Sequence, residues 1–202
     1  MITGTLKRLL VAAALAACGA WAANEMAPDE LVAKMTADVL DAVQKDKQLQ
    51  AGDKQKALQL AESKILPLVD FRRMTMLAVG KSWRQATTEQ QDSMVREFRT
   101  LLVRTYSNAL GTYQGQRLEV DPLTLAPGDT DVTVRNRYIT PGQPSIPVDY
   151  RMRKSDEGWK AYDIVVDGVS LVTTYRPTFD EEIRRSGIDG LIRKLTQKNQ
   201  GL

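Results

Sequence analysis

The 202-residue sequence predicts an α+β fold, with helices packed on one face of a curled, four-stranded antiparallel sheet. Three observations predict it. Apolar residues recur at helical spacing from Pro28 to Tyr113; the period changes to strict alternation after Gly115; and it returns to helical after Ser170.

The elements follow in order. Pro28, with Asp29 and Glu30 behind it, opens a first helix whose stripe is Val32, Met35, Val39 and Val43, ending near Lys47. A turn at 50–53 follows, and Asp53 caps a second helix that runs through Ile65 and is broken by Pro67. Residues 70–80 read as a third helix, capped by Asp70 and stopped by Gly80. Thr87 and Gln90 have capping-box spacing ahead of a fourth helix over 88–111. Its broad stripe, from Met94, Phe98, Leu101 and Leu102 to Tyr106, Ala109, Leu110 and Tyr113, makes it central.

Four strands are expected next. Leu118 and Val120 form one, and Val132, Val134 and Tyr138 a second. Ile146, Val148, Tyr150 and Met152 form a third; Tyr162, Ile164 and Val166 a fourth. Turns at 126–129, 140–144 and 154–158 join them as a meander with one apolar and one wet face. Asp149 and Asp163 fall on the wet face by this count, and Asp167-Gly168 is a turn before Ser170 caps a helix. The chain closes with helices over 171–186 and 188–198, the first kinked at Pro177. About six helices result, in one domain over 23–202.

Residues 1–22 have the layout of a secretory signal: Lys7 and Arg8, an apolar run from Leu9 to Ala17, and Ala20-Trp21-Ala22 as a cleavage site. A lipidated Cys18, in the lipobox-like LAAC, is the lesser alternative. Without the leader the chain has 26 basic and 25 acidic residues, no cysteine and no histidine. That balance argues against nucleic acid, and the composition excludes a disulfide, a soft-metal site and the commonest general base. No metal-ligand spacing or phosphate loop occurs, so neither a metal nor a cofactor is expected. The pairs Arg72-Arg73 and Arg184-Arg185 read as solvated helix faces, with anionic headgroups or an acidic partner as the sharper alternative. The apolar faces of sheet and helices either fill a core or enclose a cavity, and pattern counting does not separate the two.

Three blocks carry a resemblance: VDFRRMTMLAVGKSWRQATTEQQDSMVREFRTLLVRTYSNAL (69–110), YRMRKSDEGWKAYDIVVDGVSLVTTYR (150–176) and SGIDGLI (186–192). Together they are similar to the MlaC family of periplasmic phospholipid-binding proteins, also called toluene-tolerance auxiliary components. The stretch from Trp159 through Asp163 to Gly168-Val169-Ser170 is the most specific. The resemblance implies an NTF2-like sheet with extra helices and a deep apolar pocket between them for phospholipid acyl chains, phospholipid being cargo. It also implies partners: an outer-membrane lipoprotein–porin complex, and the MCE-domain subunit of an inner-membrane ABC transporter. The role implied is maintenance of outer-membrane lipid asymmetry from the periplasm, as a monomer.

Alternation then assigns one pocket wall to Val132, Val134, Val148, Tyr150, Met152, Ile164 and Val166. The helical stripes assign the other to Leu77, Leu101, Leu102, Tyr106, Val169, Leu171 and Val172. An enzyme of the isomerase or dehydratase kind is the alternative; it requires an inward carboxylate beside Tyr150 or Tyr162. A plain interaction module with a filled core is the third reading.

Overall fold

The structure, a computed structural model, describes residues 26–107 and 116–201. The expected signal segment with Cys18, and Ala109, Leu110 and Tyr113 of the fourth helix, lie outside the described residues. Helix α1 is Pro28–Lys45, with Pro28 in its first turn and one buried face, Val32, Thr36, Val39 and Val43. Asp46 and Asp53 each accept two backbone N–H bonds, capping α2 (Lys47–Gln50) and α3 (Lys54–Leu60). The chain then winds through a π turn, Ala61–Ile65, and a short 3-10 turn, Leu66–Leu68, where Pro67 ends the run. Asp70 caps α4 (Phe71–Val79), which stops at Gly80, φ 65°. The Thr87/Gln90 capping box is present and starts α5 (Thr88–Tyr106).

Six strands form one antiparallel sheet that curls without closing: β1 Arg117–Val120, β2 Asp131–Val134, β3 Asn136–Ile139, β4 Ile146–Ser155, β5 Gly158–Val166 and β6 Val169–Ser170. They amount to the four expected ribbons, with the second broken in two and a two-residue strand added. Both β2 and β3 pair with β4, at Val132↔Met152 and Tyr138↔Ile146. At the break the Asn136 side-chain amide donates to the carbonyls of Val134 and Val148, each at 3.0 Å, taking over bonding that a continuous ladder would supply.

A bulge between β4 and β5 changes the expected parity. Met152 pairs with Ala161 and Arg151 with Asp163, which leaves Tyr162 as the extra residue. Trp159 and Ala161 are therefore buried, while the Tyr162 ring lies under Arg73 and its hydroxyl donates to Asp131 at 2.6 Å. Asp163 corrects the wet-face expectation: it is 1% exposed, because the chain entering the last helix folds over it. That helix, α6 (Leu171–Gln200), keeps helical backbone at Pro177 and breaks at Gly187, φ 70°, between the two closing helices expected over 171–186 and 188–198.

Three packed clusters surround the interior. Phe98 contacts Tyr175 and Phe179 edge-on at 5.0 and 5.1 Å in the cluster of α4, α5 and α6. Val32 joins Val134, Met152, Trp159 and Ala161 where α1 begins against the sheet. Val39, Val43, Leu49, Ala57 and Leu60 pack α1 against α2 and α3.

Candidate functional site

Because α1 meets the sheet with its first turns and α2–α3 with its last, its middle spans a gap. A cavity of about 530 Å³ lies there. Met35, Thr36, Val39, Leu40 and Val43 of α1 form one wall, and the π turn with its exit adds Ala61, Ile65, Leu66 and Val69. Phe71 and Met74 of α4 and Leu102, Val103 and Tyr106 of α5 form a second wall. The sheet supplies Tyr138, Ile146, Val148, Tyr150, Ile164 and Val166, followed by Leu171. Ser107, Gln116 and Thr140 complete the lining, and no charged side chain occurs among the described residues that form it. The size is that of a site for an organic ligand, and the chemistry is that of hydrocarbon.

Polar atoms in this wall are few. Burial holds the Tyr150 hydroxyl far above its ordinary pKa, and its hydrogen-bonded neighbour Tyr138 pushes it the same way, so it stays protonated. Thr36 Oγ1 is buried without a hydrogen-bond partner. At the rim three wall residues reach solvent: Tyr106 at 41% exposure, Ile146 at 46% and Val166 at 36%. Exposed apolar residues that also line a cavity mark its mouth.

The junction beside the mouth is held rigidly. Asp167 (φ 49°) and Gly168 (φ 77°) form a two-residue turn between Val166 and Val169, and Asp167 N–H donates to the Pro147 carbonyl at 2.9 Å. Ser170 Oγ accepts from Thr173 N–H at 3.0 Å, capping α6, and donates to Asp163 Oδ2 at 2.7 Å. Asp163 Oδ1 accepts from Val172 N–H at 3.2 Å, and Arg151 adds a bond to Oδ2 at 3.3 Å. This carboxylate is occupied with structure and is not among the cavity-lining residues.

Of the fourteen residues assigned to the pocket, Leu102, Tyr106, Val148, Tyr150, Ile164, Val166 and Leu171 stand in the wall. Leu77, Leu101 and Val172 pack into the helical cluster instead. Val132, Val134 and Met152 pack against the start of α1, because the curl of the sheet closes that end. Val169 is 58% exposed, outside the mouth. The α1 wall went unassigned, although its stripe of Val32, Met35, Val39 and Val43 was visible; spacing marks an apolar face without saying what it faces. Val103, Tyr138 and Ile146 were missed for the same reason.

Residues 33–197 match the protein family described as MlaC protein. The chain is 24% identical over 141 residues to the intermembrane phospholipid transport system binding protein MlaC of Haemophilus influenzae, across 68% of this chain and 66% of that protein. It is 27% identical over 164 residues to the toluene tolerance protein ttg2D of Pseudomonas putida, across 80% of this chain and 75% of that one. Among solved structures, a phospholipid-binding protein from Ralstonia solanacearum, in complex with a phospholipid, superposes with a TM-score of 0.77 at 40% identity. That likeness covers 85% of this chain and 96% of the other.

Proposed function

Since the chain belongs to the MlaC protein family, we propose that it is a phospholipid carrier whose uncharged cavity shields acyl chains from water. The observation that carries this reading is the match of chemistry: an uncharged, largely aliphatic cavity with an apolar mouth, in a chain 40% identical to a protein solved with phospholipid bound. Two acyl chains hold about 30 methylenes, and at about 0.8 kcal/mol each their exposure costs on the order of 20 kcal/mol. Unaided desorption from a bilayer is correspondingly slow. A carrier lowers that barrier by offering hydrocarbon contact in place of water, which needs no catalytic group.

The finer reading is a shuttle. The chain is exported through residues 1–22, works in the periplasm as a monomer, and moves phospholipid between an outer-membrane lipoprotein–porin complex and the MCE-domain subunit of an inner-membrane ABC transporter. The traffic maintains lipid asymmetry of the outer membrane. The name of the Haemophilus relative, a binding protein of an intermembrane phospholipid transport system, supports movement between membranes, and the two partner complexes are those the family resemblance implies. The enzyme reading has less support: the described lining offers no carboxylate beside Tyr150, and Asp131, the carboxylate bonded to Tyr162, is exposed and outside the cavity.

The test is organic extraction of protein purified from a bacterial periplasm without detergent, followed by mass spectrometry. Near-stoichiometric phospholipid is the expected result. A well-folded protein that yields an empty extract, and takes up no lipid from vesicles, overturns the carrier reading.

A further inference from the structure

Beyond Val32 the stripe of α1 packs on its own neighbours in the chain. Val39 and Val43 of α1, Leu49 of α2, and Ala57 and Leu60 of α3 form one cluster, whose partly buried members also fall within residues 35–65. Helices α2 and α3 make their main contacts with each other, with α1 and with the π turn. Residues 33–66 are therefore a small core of their own, laid across the cavity as one of its walls.

Both ends of this segment are pinned beside the same residue of the sheet. At its start, Val32 belongs to the cluster of Trp159 and Ala161, and Asp29 Oδ2 accepts from Leu123 N–H at 3.1 Å. At its end, Asp70 N–H donates to the Ala161 carbonyl at 2.9 Å, and Lys160 Nζ donates to the Pro67 carbonyl at 2.7 Å. Between these pins, the ion pair from Arg99 of α5 to Glu62 of the π turn is 4.0 Å long and exposed on both sides, a geometry that contributes little. The other walls are bound more firmly. Phe98 of α5 meets Tyr175 and Phe179 of α6, Arg176 of α6 donates twice to the Leu77 carbonyl of α4, and Asp163 ties β5 to α6. A segment closed at its ends, packed on itself and loosely held along its length opens at lower cost than such a body.

Size requires a wall to give way. At about 30 Å³ per methylene, the share a water molecule takes in the liquid, the hydrocarbon of two acyl chains needs on the order of 900 Å³. The cavity offers about 530 Å³, little more than one chain fills. We propose that residues 33–66 are a lid, which swings outward about its pins beside Ala161 when both chains of a phospholipid enter. The lid rests on the carrier reading above and names the wall that moves.

Residues 23–202 contain no cysteine, so an introduced pair of thiols can be stapled selectively. Glu62→Cys with Arg99→Cys, joined by a disulfide-containing bismaleimide, fastens the lid to α5. Uptake of a fluorescent phosphatidylglycerol from phosphatidylethanolamine vesicles is expected to slow at least about tenfold in the stapled protein, and to recover when the staple is reduced. Arg72→Cys with Asp92→Cys, at an ion pair joining α4 and α5, is the control, expected to take up lipid within about twofold of the native rate, stapled or not. Hydrogen exchange needs no substitution: in the lipid-free native chain the amides of α1 after Val32, α2 and α3 are expected to exchange as one unit, at least about tenfold faster than the buried amides of α5. Undiminished uptake with the lid stapled overturns the proposal. So does equal slowing in the α4–α5 control, or exchange in the lid no faster than in α5. Absence of uptake by the native protein overturns the carrier reading itself, and the lid with it.

Discussion

Asp163 draws donors from three elements: Arg151 of β4, Ser170 of β6 and the first-turn N–H of Val172 in α6. A buried carboxylate costs several kcal/mol to desolvate and is tolerated because all three donors converge on it. Asp163→Asn removes the charge and turns an amide N–H₂ toward groups that themselves donate. The expected loss is about 2–3 kcal/mol of unfolding free energy, measured by urea titration. Nothing in the alternation of residues 162–166 announces this burial, because the bulge at Tyr162 and the return of α6 are set by contacts distant in sequence. Glu182 is a second such residue. It binds Lys194 at 2.7 Å and Arg185 at 2.6 Å, joining the two parts of α6 across Gly187. The Lys194 bond first, and then the Arg185 bond, lower its carboxyl from 4.5 to about 2. A carboxylate whose pKa is depressed by folding stabilises the protein above its unfolded value, and that contribution disappears as pH falls through the folded one. The stability gap between the native chain and Glu182→Gln is therefore expected to be complete above about 4.5 and to close toward pH 2. Guanidinium unfolding across that range checks it.

At the scale of elements, starts and stops were the legible part. Asp53, Asp70, Thr87 with Gln90, Gly80 and Ser170 act through short-range hydrogen bonds or backbone freedom, which a local reading captures. The break at Arg135 was not legible, since Asn136 completes its bonds only once β4 lies beside it. The break in α6 is a conformational requirement: at φ 70° and ψ −178°, Gly187 occupies backbone space that other residues reach only under strain. Gly187→Ala is expected to cost about 1–3 kcal/mol by urea unfolding, with cavity residues untouched. Of the residues assigned to the pocket, half line the cavity, because spacing does not resolve facing: a stripe such as Leu101-Leu102 divides between the core and the void. Val148→Trp and Leu102→Trp each project bulk into the void from opposite walls. Each is expected to lower co-purified phospholipid at least severalfold while preserving the far-ultraviolet circular dichroism spectrum. Unchanged occupancy in both removes these positions from the lipid-contacting wall.

For the whole molecule, the described residues arrange dense clusters around the cavity, so on the proposed reading the ligand becomes part of the core when bound. Linkage then requires the loaded form to be the more stable, by about 2.7 kcal/mol at a hundredfold excess over Kd. Delipidation is expected to lower the midpoint of thermal unfolding, and re-addition of phospholipid to restore it; a midpoint indifferent to lipid contradicts a shared core. The overall class and chain order were legible because period changes mark layers, while the void was not, because a full and a hollow interior require the same apolar faces. The uncharged wall has one more consequence. With no carboxylate, amine or guanidinium in its described lining, the grip on cargo has neither a titration curve nor a Debye length. Acidification or salt cannot loosen such a hold by neutralising it. On the carrier reading proposed above, release from the described walls is mechanical: a receiver parts them or offers a better hydrocarbon bed, and the speed of delivery is a property of how the two bodies fit.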